Sequence, residues 1–117
     1  MRPKTNRTRP EDLPVYPELA KRLLYSGMPL QPSRDGRGGI LVNGKRYDTP
    51  SYGQVFRWLY AKRVPVMVEE KQEGKDGKTV RTYKGLTAAA GFPVQEYKNW
   101  ETCAAETIKR AIKFNRL

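Results

Sequence analysis

The chemistry available to this chain comes mainly from its cations. It carries 23 Lys and Arg against 12 Asp and Glu, has no histidine, and holds a formal charge of +11. Closely spaced Arg and Lys neutralise phosphate or carboxylate, Arg through a planar fork of donors and Lys as a point charge. Nine positions concentrate that capacity. Arg2, Lys4, Arg7 and Arg9 precede the first acid, Glu11; Arg34 and Arg37 stand in a glycine-rich stretch; Lys109, Arg110 and Lys113 stand near the C-terminal end. These nine are the candidate phosphate contacts. Lys45, Arg46, Arg57, Lys62, Arg63 and Arg116 spread further charge over other segments. Cations distributed in this way suit a body surrounded by folded RNA, whereas a DNA reader gathers its bases on one recognition element.

Other chemistries are poorly supplied. Without histidine there is no Cys/His zinc site and no Ser-His or Cys-His nucleophile pair. Cys103 is the one cysteine, so it makes no internal disulfide. Its place in an apolar helical stripe reads as a small buried hydrophobe. Gly36, Gly38 and Gly39 lack the spacing of a phosphate-binding loop. They read instead as backbone that lets another chain or RNA come close. Tyr47, Tyr52, Tyr60, Tyr83 and Tyr97 could stack on unpaired bases. Core packing is the competing use of these rings, and Trp58 and Trp100 are needed for the core. The expectation is a non-catalytic protein without cofactor or metal.

The elements that must position these cations are short. Leu, Ile, Val and Phe make up 23 of 117 residues, which supports one modest core. The chain reads as a basic Pro/Arg arm, residues 1–14, followed by a single small α+β domain, residues 15–117. Pro3, Pro10 and Pro14 keep the arm extended and mobile, and they forbid the amphipathic helix of a mitochondrial presequence. No apolar run is long enough to span a membrane or to form a signal-peptide core.

Five elements are expected after the arm. Residues 17–26 form a helix, with Pro17 at its first position and Gly27 past its end. Residues 40–47 form a hairpin about Asn43-Gly44, the preferred pair for a two-residue turn. Residues 51–62 form a second helix, capped by Thr49 or Ser51. Residues 64–70 and 78–84 form a second hairpin whose polar connection, residues 71–77, protrudes as a loop. A short helical turn follows at residues 86–90, and Pro93 opens a long helix over residues 94–115.

Two resemblances follow from these residues. Gly44, Tyr47, Thr49, Pro50 and Ser51 match the G-x-x-Y-x-[ST]-P-S segment of RAMA-type modules attached to DNA-modification proteins, a likeness covering about a tenth of the chain. The N-G-W segment that follows in that family is absent, and no site residue is carried over from it. At the level of class, the whole chain resembles a small basic ribosomal protein of the lineage-specific mitochondrial type. That likeness implies a structural, RNA-binding component of a ribonucleoprotein in the mitochondrion, touching rRNA phosphates and neighbouring proteins. Two alternatives stand beside it: a DNA-binding or DNA-modification accessory module, and an accessory subunit of an organellar membrane protein complex.

Overall fold

Helix α1 (Pro17–Tyr25) begins where the sequence places it, because Pro17 has no N–H to leave unpaired and its fixed φ suits a first turn. The computed structural model describes residues 10–87 and 96–114. Leu19, Ala20 and Leu23 form one buried face of α1. Its C-terminal carbonyls are closed by the N–H of Gly27 to Leu24 and of Met28 to Leu23.

The described residues form a small α+β fold with three α-helices and two antiparallel sheets. The chain divides into two compact units, residues 1–55 and 56–117. Each unit is described by itself.

In the first unit, strands β1 (Ile40–Val42) and β2 (Lys45–Tyr47) pair about Asn43 and Gly44, whose φ values of 52° and 80° make the expected turn. Ile40 and Val42 are buried beneath α1 while Leu41 faces outward. The segment before α1 is more ordered than an arm of residues 1–14 implies. Pro10–Asp12 forms a 3-10 turn, Val15 N–H donates to the Pro50 carbonyl, and Tyr52 N–H donates to the Leu13 carbonyl. Residues 10–14 are therefore pinned by backbone hydrogen bonds that their proline content does not reveal. Residues 1–9 lie outside the described residues.

Helix α2 (Tyr52–Ala61) opens with a reciprocal cap. Ser51 Oγ accepts the Gln54 N–H, and Gln54 Oε1 accepts the Ser51 N–H. Tyr52, Val55 and Leu59 are its buried positions.

The second unit departs from expectation in two places. Strands β3 (Val66–Lys75) and β4 (Lys78–Thr87) run the full length of the segment that reads as a loop, and they turn on Asp76 and Gly77 alone. Their φ values of 50° and 75° repeat the geometry of the first hairpin. Leu86 and Thr87, expected in a helical turn, belong to β4; residues 88–90 lie outside the described residues. The long helix also starts later than residue 94. Glu96–Tyr97 form β5, paired with β4 at Lys84 and Tyr83, and α3 runs from Trp100 to Phe114. Asn99 fixes that start, since its Oδ1 accepts the Thr102 N–H at 3.0 Å.

Helix α3 packs on the base of the β3–β4 ribbon and on β5. A Cβ built on Gly85 of β4 would overlap the side chain of Thr107 on α3. Thr107 is itself buried, with its hydroxyl donating to the Cys103 carbonyl at 2.7 Å.

Candidate nucleic-acid interface

In the first unit the chain builds one basic loop on the edge of β2. Residues 31–33 run alongside that strand: Asp48 N–H donates to the Gln31 carbonyl at 2.8 Å, and Ser33 N–H donates to the Arg46 carbonyl at 3.1 Å. The chain returns through Gly38 and Gly39. A Cβ on Gly38 would strike the Tyr47 backbone, and one on Gly39 would strike Thr49. The close approach that these glycines permit is thus to this chain's own β2 end. Between the two anchors the loop carries Arg34 and Arg37, both exposed.

Asp35 organises that loop. Its Oδ1 accepts the Arg37 N–H at 2.9 Å and the Ser33 hydroxyl at 3.0 Å. The Arg37 N–H, followed by the Ser33 hydroxyl, holds the Asp35 carboxyl below its ordinary value of 3.8. The loop therefore keeps these bonds through neutral pH and loses them only as pH falls through the lowered value. The pairing of residues 31–33 with β2 sets the loop that carries Arg34 and Arg37 beside the strand that carries Lys45 and Arg46, and all four are exposed. The Lys45 ammonium lies 5.7 Å from the centre of the Tyr47 ring.

In the second unit, cations gather at two helix ends. Lys62 and Arg63 follow the last turn of α2, where the helix dipole favours positive charge. The Lys62 ammonium stands 5.1 Å from the Trp58 ring centre, and Tyr60 is 72% exposed beside them in sequence. Arg63 adopts φ 65°, a left-handed conformation that a side chain other than glycine rarely takes.

On α3 the buried positions cover more than half the circumference. They leave one stripe that carries Thr102, Glu106, Lys109, Arg110 and Lys113. Lys113 is exposed, whereas Lys109 and Arg110 are half-buried. Lys109 Nζ donates to Glu106 Oε2 at 3.2 Å, so that lysine already has an acid beside it.

Five of the nine candidate positions therefore fall into two described groups, Arg34 with Arg37 and Lys109 with Arg110 and Lys113. Arg2, Lys4, Arg7 and Arg9 lie outside the described residues. Lys45, Arg46, Lys62 and Arg63 were not among the nine, and the first two become neighbours of the loop only through the pairing of residues 31–33 with β2. Among the described residues, Arg34, Arg37, Lys45, Arg46, Lys62 and Arg63 make no ion pair. No group of three or more metal-ligating side chains occurs among the described residues, and no described helix is long and apolar enough to cross a membrane.

Tyr52, one of the candidate stacking rings, is fully buried, while Trp58 and Trp100, expected in the core, are only half-buried. Comparison with known protein families, curated proteins and solved structures finds no match.

Proposed function

We propose that this chain is a non-catalytic RNA-binding component of a large ribonucleoprotein of the ribosomal kind. Its exposed cations neutralise rRNA phosphates, and its apolar surface meets protein neighbours. The observation that carries this reading is the charge of +11 on 117 residues, together with exposed Arg and Lys that have no acid paired to them among the described residues. Such a surplus repels itself in the free protein. Binding a polyanion relieves that repulsion and releases the counterions condensed on the phosphates.

The distribution of charge supports the same reading. Residues 1–9 hold four bases and no acid, residues 10–55 hold six bases against five acids, and residues 56–117 hold thirteen against seven. The surplus is thus shared by the N-terminal segment and the second unit, without one recognition element that would mark a groove reader.

The test is binding of the full chain to a folded RNA, a DNA duplex and polyglutamate, each followed by fluorescence anisotropy across a salt series. The RNA should bind tightest, with an affinity that falls steeply with salt. Replacing Arg2, Lys4, Arg7 and Arg9 by Ala should weaken binding equally for unrelated RNA sequences. It should also flatten the salt slope by about 3, at 0.7–0.9 per phosphate contact. Equal binding of polyglutamate, or an unchanged slope in the variant, would count against the proposal; a preference for duplex DNA would support the DNA-module alternative.

A further inference from the structure

The β3–β4 ribbon leaves one long edge open. The sheet order is β3-β4-β5, so β3 is an edge strand along its ten residues among the described residues. Residues 69–74 are all exposed, and among the described residues no backbone hydrogen bond links them to anything beyond their own ribbon. In a hairpin closed by a two-residue turn, the residues flanking the turn form a hydrogen-bonded pair. Lys75 and Lys78 flank it here. Odd-numbered residues of β3 therefore bond to β4. The N–H and C=O groups of Val68, Glu70, Gln72 and Gly74 point outward from the edge.

The order of charges along this edge is complementary to itself. Residues 69–75 read Glu-Glu-Lys-Gln-Glu-Gly-Lys. When a second copy of β3 is laid antiparallel with the two-fold axis on Gln72, Lys71 of each copy faces Glu73 of the other. Position 69 falls opposite position 75, again an acid and a base in the sequence. Neutral Gln72 stands on the axis, and Glu70 falls opposite Gly74.

Neighbouring registers lack this match. With the axis on Lys71, Lys71 faces its own copy and Glu69 faces Glu73. With the axis on Glu73, that glutamate faces itself. Like charges directly opposite each other destabilise a strand pair, and opposite charges stabilise it.

Gly74 points the same way. Glycine inside a strand costs stability, and it commonly marks a place where another backbone comes close. Apart from its own chain neighbours, nothing among the described residues lies within 4 Å of a Cβ built on Gly74, and its φ is not positive. The present neighbours of the charges do not oppose the exchange. Lys71 Nζ and Glu73 Oε2 are 3.4 Å apart within β3, both well exposed, and a pair of that kind contributes little.

We propose that two copies of this chain join edge to edge through β3, antiparallel about Gln72, to form a continuous sheet across the two ribbons. Three hydrogen-bonded residue pairs close the seam: Gln72 with Gln72, and Glu70 with Gly74 twice. The two Lys71–Glu73 contacts select the register. The pairing does not depend on RNA and is tested in its absence.

Sedimentation of the full chain, free of nucleic acid, over a wide concentration range reads the proposal directly. The wild type should show a reversible monomer–dimer equilibrium. Lys71→Glu and Glu73→Lys should each weaken it at least tenfold, since each sets like charges opposite each other twice. The double variant should restore it. The two single variants mixed together should form a heterodimer, because each then meets the opposite sign. Gln72→Pro should remove the dimer while leaving the circular dichroism of the monomer unchanged, because the lost N–H points away from β4. A wild type that stays monomeric at the highest concentration would overturn the proposal, as would single charge reversals that dimerise like the wild type or a mixture without heterodimer.

Discussion

Arg63 holds a conformation that its side chain disfavours. It stands at the position after α2 where the chain turns left-handed, with its N–H bonded to the Tyr60 carbonyl and the Val64 N–H bonded to the Leu59 carbonyl. Glycine is the usual occupant of that position. Asn43 and Asp76 also have positive φ, but their short polar side chains tolerate it better than arginine does. An exposed arginine in this place carries its charge at some cost in fold stability. Replacing Arg63 by Gly should raise stability by about 1 kcal/mol in thermal or urea unfolding. The same change should weaken RNA binding and reduce the salt slope by about 0.8, the share of a single contact. A variant that is more stable and binds equally well would remove Arg63 from the interface.

The second unit depends on how closely α3 lies against the ribbon. Gly85 gives up a side chain so that Thr107 can rest on the β4 backbone, and Thr107 turns its hydroxyl back to Cys103. Gly85→Ala should therefore destabilise the protein by about 1–3 kcal/mol, read by urea unfolding, because the added methyl has no room unless the helix shifts. Gly74→Ala on the same ribbon meets open space and should leave the stability of the monomer nearly unchanged.

The contrast between elements also explains what could be read from the chain. Helices α1 and α2 and the first hairpin are legible because their signals are local: Pro17, a capping residue at Thr49 or Ser51, and Asn43-Gly44. The second ribbon was not, because residues 71–77 are polar and no burial pattern marks them as strand. Asp76-Gly77 was the available clue, the same kind of turn pair as in the first hairpin. The start of α3 is hidden because Pro93 offers a helix-opening signal six residues before Asn99, whose side chain makes the actual cap. The grouping of Arg34 and Arg37 with Lys45 and Arg46 could not be read at all, since it depends on the pairing of residues 31–33 with β2.

At the scale of the whole molecule, charge and core answer different demands. Only the second unit and the first nine residues carry a large surplus of cations, whereas residues 10–55 are nearly balanced. Changes to the charged surface should therefore act on association far more than on folding, because exposed ion pairs contribute little to stability. The buried face of α3 provides a separate readout. Cys103 has no exposed surface and is the chain's one thiol, and burial raises its pKa above the ordinary 9.0. A disulfide reagent can reach that sulfur only when the helix lifts away, so labelling should be slow in the native protein and fast in denaturant. Nature has left a single stopwatch inside the second unit. Its ticking, recorded with and without a polyanion, would tell how far a bound partner clamps that unit shut.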